Sequence, residues 1–132
     1  MNLHRALLAV VASLFFAAAV FGHDHGKKEE KKQTSELQRV ESKKVCMINE
    51  QVFEKDQIPI EIGGKTYYGC CEMCKKALAS DPGKRVATDP VSGKEVDKAI
   101  AIIGALPDGH VLYFENEANF QEHAVSLAKK TE

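Results

Sequence analysis

Apolar and polar residues change rhythm several times along the chain, and each change predicts an element. Ala6 to Phe21 is a continuous apolar run broken only by Ser13, and a polar stretch from Lys27 to Lys44 follows, with Leu37 and Val40 as its sizeable apolar residues. From Val45 the pattern becomes globular. Ile58, Ile60 and Ile62 alternate with other residues, Gly63-Gly64 supplies a positive-φ turn, and Lys65 to Gly69 reads as the return strand of a hairpin. A helix is predicted from about Glu72 to Ser80, stopped by Asp81-Pro82-Gly83. The apolar run from Lys98 to Leu106 fits helix or strand by itself. Pro107-Asp108-Gly109 then makes a turn, and His110 to Phe114 reads as a return strand. Asn116 is placed to cap a helix through Lys130, whose apolar stripe is Phe120, Ala124, Leu127 and Ala128.

The chain also resembles itself. Val45-Cys46 followed by Glu50-Gln51-Val52 corresponds to Val91-Ser92 followed by Lys94-Glu95-Val96, and Gly64 to Tyr68 corresponds to Gly109 to Tyr113, both about 45 residues apart. The correspondence favours strand for the run before Leu106. Each copy then predicts a turn, a β-hairpin and a helix, so the expected fold is α+β: two small units, 45–83 and 84–132, packed together. Units of roughly 40 residues usually need a metal, a disulfide or a neighbour for stability.

The N-terminal pattern changes which residues count. Arg5, the apolar run and Gly22 before a polar start have the form of a secretory signal peptide over 1–22, and the run is shorter than the roughly 20 residues that span a bilayer. The expected location is periplasmic or secreted, with no stable membrane insertion after cleavage. His23-Asp24-His25 would open the mature chain, and a free amine with His at the third position suits square-planar Cu(II) or Ni(II); His23 and His25 are a candidate second metal site. The segment 23–44 reads as a charged flexible tether, with a frayed helix from Ser35 to Lys43, because it lacks apolar surface to offset its ordering entropy. A net charge of −1, from 18 basic and 19 acidic residues, gives no field for nucleic acid.

Four cysteines carry the candidate chemistry, and three of them crowd together as Cys70, Cys71 and Cys74. Cys46 sits in a predicted tight turn. Cys70 and Cys74 lie at a strand-to-helix junction, where the helix N-terminus favours thiolates, and soft sulfur ligands select Zn(II), Cu(I) or heavier thiophilic ions. Cys71, His25, His110, His123 or an exogenous ligand are candidates for a fourth position. Met47 and Met73 are neighbouring soft sulfurs, with core filling as their simpler role.

Cys46, then Tyr67-Tyr68-Gly69-Cys70-Cys71-Glu72-Met73-Cys74-Lys75 and the closing Asp81-Pro82, resemble the TRASH/YHS group of small metal-binding domains. The resemblance implies treble-clef-like or zinc-ribbon-like units, heavy-metal handling, and Cys46, Cys70 and Cys74 as ligands. Cys71 falls where those domains usually carry a small polar residue. The second copy resembles them too, around Asp89 to Gly93 and Tyr113 to Phe120, with Ser92, Glu115 and Asn119 at the three cysteine places.

Taken together, the expected function is capture or transfer of a soft metal ion, Zn(II) or Cu(I), in metal homeostasis or resistance, with a metal-handling protein as a further partner. Two alternatives are a thiol-disulfide protein using Cys71 and Cys74, and a disulfide-stapled adaptor. No Ser or Cys stands beside a recognisable His and carboxylate set, so no catalytic residue and no enzyme activity are expected.

Overall fold

The fold is that of a computed structural model, which describes residues Glu36–Lys130. The predicted signal peptide over 1–22 and the tail carrying His23 and His25 lie outside the described residues. Chain order runs β1 (Gln38–Val40), β2 (Val45–Cys46), β3 (Gln51–Val52), β4 (Ile58–Ile62), β5 (Lys65–Gly69) and α1 (Glu72–Ser80). It continues through β6 (Val86–Thr88), β7 (Glu95–Asp97), β8 (Ile102–Ala105), β9 (Val111–Phe114) and α2 (Glu117–Lys130). All strand pairs are antiparallel: β2 with β3, β4 with β5, β6 with β7, and a three-stranded sheet ordered β1-β8-β9.

The expectation of two treble-clef or zinc-ribbon-like units packed together is corrected. The described residues, Glu36–Lys130, fall within one compact unit and form small antiparallel sheets and two helices. The physical reason is that the two halves complete each other's hydrogen bonding. Val111 N–H donates to the Glu50 carbonyl and Val52 N–H to the Gly109 carbonyl, both at 3.0 Å. The buried Lys98 ammonium donates to the Met47 carbonyl and to Glu50 Oε1, each at 2.8 Å, and lies 5.2 Å from the centre of the Tyr113 ring. Val45, Met47, Tyr67 and Leu78 share one apolar cluster with Val96, Ile103, Val111 and Tyr113.

The segment expected to be a frayed helix holds strand β1 instead. Its two sizeable apolar residues decide this. Leu37 is buried in a cluster with Phe114 and Phe120, and Val40 packs on the main core. Gly104 makes the docking possible, since a Cβ there would lie 2.7 Å from Leu37 Cδ1. Tertiary packing has overridden local preference, as it commonly does for short segments. The β4–β5 hairpin turns at Gly63 and Gly64, with φ of 59° and 76°. The Asn116 side chain caps α2 by accepting the Asn119 N–H at 2.9 Å.

One buried carboxylate ties the second half together. Asp89 is fully buried; its Oδ1 accepts N–H bonds from Val91 (2.8 Å) and Ser92 (3.2 Å), and its Oδ2 accepts from Glu115 N–H (2.7 Å) and Asn119 Nδ2 (2.8 Å). Burial pushes this carboxyl's pKa up, but the Asn119 amide and the three backbone N–H groups outweigh it and hold the group below the usual range. Ser92, Glu115 and Asn119 are the positions that correspond to the three cysteines of the first half. A hydrogen-bonded carboxylate therefore gathers the residues that stand at the thiol positions.

Asp89→Ala leaves those donors without their acceptor and is expected to cost about 3 kcal/mol in urea unfolding. Because the folded pKa is depressed, the carboxylate's stabilisation is complete above about pH 4 and fades as pH falls through the folded value. The stability gap between wild type and Asp89→Asn is therefore expected to narrow as pH is lowered below about 4. A gap that is constant over that range would contradict the assignment.

Candidate metal centre

Two segments bring the cysteines together, the turn after β2 and the junction between β5 and α1. Cys46 ends β2 and begins a tight turn through Met47, Ile48, Asn49 and Glu50, closed by Glu50 N–H donating to the Cys46 carbonyl at 2.7 Å. Fully buried Met47 anchors the turn in the core, and its N–H donates to the Tyr68 carbonyl at 2.9 Å, which sets the turn beside β5. Cys70 and Cys71 follow directly from β5, and Cys71 occupies the N-cap of α1 in an extended conformation. Cys74 lies in the first turn of α1.

Gly69 permits this junction. A Cβ at that position would sit 2.9 Å from Cys74 Cβ and 3.3 Å from Lys75 N. The helix could not approach the strand so closely with any side chain there.

The sulfurs converge on Cys74. Its Sγ lies 3.6 Å from that of Cys70, 3.6 Å from that of Cys71 and 3.8 Å from that of Cys46. Cys46, Cys70 and Cys74 form a set whose ligand atoms all lie within 4.8 Å of one another. Two thiolates bound tetrahedrally at about 2.3 Å stand about 3.8 Å apart, so the spacing of Cys46 and Cys70 around Cys74 could accommodate a shared metal ion. All four cysteines are free thiols. Cys46 and Cys74 are buried, Cys70 is half-buried and Cys71 is exposed, so the group grades from core to solvent.

The surroundings distinguish the four thiols. Burial pushes Cys46 up, yet N–H bonds from Asn49, Ile48 and Cys70 overcome it and place this thiol below its ordinary value. The Cys70 N–H reaches Cys46 Sγ at 3.4 Å. Burial first, and then the neighbouring thiols, raise Cys74 to about 12. Burial likewise raises Cys70, whose sulfur also accepts the Asn49 side-chain amide at 3.3 Å. Backbone N–H of Cys74, at the start of α1, is the largest influence lowering Cys71. A soft cation would replace the thiol protons that such crowding makes hard to lose.

Cys46, Cys70 and Cys74 are thus brought together as the sequence predicted. Cys71 touches Cys74 and stands outside the mutual set. His110 bridges to Gln51 and His123 packs on Phe114 at 5.6 Å, so neither joins the sulfurs. Met47 fills core, while Met73 is 80% exposed. Sequence reasoning did not single out Gly69, Asn49 or Lys98. Only the Tyr-Tyr-Gly-Cys junction carried a signal for the first, and the other two depend on contacts between segments far apart in sequence.

No family model, curated protein or solved structure matches the chain. No helix among the described residues is long and apolar enough to cross a membrane.

Gly69→Ala would press a methyl group against the first turn of α1. Relief of that overlap displaces Cys74, and overpacking of this kind costs about 1 to 3 kcal/mol. Zn(II) affinity, read by competition with a chromophoric chelator, is expected to fall about tenfold or more. Unchanged affinity would show that the close approach does not position the sulfur.

Proposed function

We propose that this chain is an exported metal-binding protein that captures a soft ion, Zn(II) or Cu(I), on Cys46, Cys70 and Cys74 and passes it to a metal-handling partner. The observation that carries the proposal is the mutual approach of three thiols from two separate segments, Cys46 on one and Cys70 with Cys74 on the other. The resemblance of these segments to TRASH/YHS domains supports the same reading, and the signal-peptide pattern supports export. Three thiolates leave a tetrahedral ion one position for solvent or a partner's ligand. The half-buried Cys70 and exposed Cys71 mark the side from which that ligand would arrive. The residues act by holding and releasing an ion, with no bond-making step assigned to them.

Native mass spectrometry of the reduced, metal-free protein with added Zn(II) or Cu(I) tests this. About one ion per chain is expected, lost in each of Cys46→Ser, Cys70→Ser and Cys74→Ser and retained in Cys71→Ser. Unchanged stoichiometry in all three ligand variants would overturn the proposal.

A further inference from the structure

We infer that Cys71 is a redox gate on the metal site: a disulfide between Cys71 and Cys74 takes away the sulfur that the bound ion depends on, and so discharges the ion. The inference rests on the metal reading above and adds its regulation.

Cys74 is the sulfur that everything else shares. Its Sγ is 3.6 Å from Cys71 and 3.6 Å from Cys70, and 3.8 Å from Cys46. It cannot be both a thiolate ligand and half of a disulfide, so the two states exclude each other. Cys71 is exposed, whereas Cys74 is 7% exposed, so an incoming disulfide meets Cys71 first. Cys71 is also the thiol outside the mutual set, which leaves it free while the other three hold the ion. Closing 3.6 Å to a bonded separation of about 2 Å is within the reach of side-chain rotation between an N-cap residue and the first helical turn. Cys70 is equally near, but it is half-buried, belongs to the ligand set and accepts the Asn49 amide.

The chemistry is thiol-disulfide exchange with a small-molecule or protein disulfide as oxidant. The Cys71 thiolate attacks one sulfur of the oxidant, forming a mixed disulfide and releasing one thiolate. Cys74 then attacks the Cys71 sulfur and expels the second. Two electrons pass from the cysteine pair to the oxidant, which ends as two thiols. The proton from Cys71 and one from solvent satisfy those thiols, and the metal ion leaves with its charge unchanged. By linkage, the bound ion must in turn protect Cys74 from oxidation.

The test uses the full chain, reduced and loaded with Zn(II), then exposed to oxidised glutathione. A chromophoric chelator reads metal release, and peptide mass mapping identifies the disulfide. Release is expected together with a Cys71–Cys74 disulfide, and excess Zn(II) should slow formation of that disulfide. Cys71→Ser is expected to load the same amount of Zn(II) and release it about tenfold more slowly or less. As a check independent of that variant, loaded wild type capped at Cys71 with N-ethylmaleimide should behave the same way. Release from the variant or the capped protein at the wild-type rate, or a disulfide joining Cys74 to Cys70 or Cys46, would overturn the gate alone. Failure of the wild type to load Zn(II) would overturn the metal reading and the gate with it.

Discussion

The close approach of the first turn of α1 to Gly69 decides where Cys74 can be, and the rest of the candidate centre is arranged around that sulfur. With 2.9 Å between Cys74 Cβ and the place a Gly69 side chain would occupy, the helix is seated directly on the end of β5. That seating carries Cys70, Cys71 and Cys74 to one spot. The tight turn after β2 is then held alongside by the bond from Met47 to Tyr68, which brings Cys46 within 3.8 Å. None of these contacts is strong alone. Their consequence is a thiol group whose inner members are buried and whose outer member faces solvent.

The two halves of the described chain solve one structural problem with different chemistry. Each must fasten a tight turn, a strand end and the start of a helix into one knot. In the first half the knot is sulfur, and burial and crowding disfavour the loss of the Cys74 thiol proton. In the second half it is the Asp89 carboxylate, whose four hydrogen bonds reach the turn, the end of β9 and α2. The carboxylate is satisfied by N–H donors of the chain itself, whereas the thiols are held together by the packing at Gly69 and the bond from Met47 to Tyr68. Lys98 joins the two, since its buried ammonium bonds the turn after Cys46 while its own segment belongs to the second half.

Local pattern made much of this legible. The alternation at Ile58, Ile60 and Ile62, the Gly63-Gly64 turn, the helix from Glu72 to Ser80 and the Asn116 cap all appear where periodicity and turn chemistry put them. The approach of Cys70 to Cys74 was foreseeable from their spacing at a strand-to-helix junction, whereas Cys46 joined them only as the resemblance to TRASH/YHS domains implies. What the pattern could not show was how the halves interlock. Strand β1 exists because Leu37 finds the bare backbone of Gly104, a partner far along the chain, and its own neighbours are too polar to suggest a strand. For the same reason the two expected units merged into one body: the bonds from Val111 to Glu50 and from Val52 to Gly109 are non-local and leave no trace in periodicity. In the sequence Asp89 stood out only as the start of the Asp89 to Gly93 segment of the second copy, and its burial and four hydrogen bonds reveal it as a fastening.

The central claim is that Cys46, Cys70 and Cys74 together bind one metal ion. X-ray absorption at the zinc edge of the Zn(II)-loaded, reduced protein addresses it most directly, because the first coordination shell reports ligand type and number. Three sulfur scatterers at about 2.3 Å with one lighter atom are predicted. A first shell made only of nitrogen and oxygen would contradict the account.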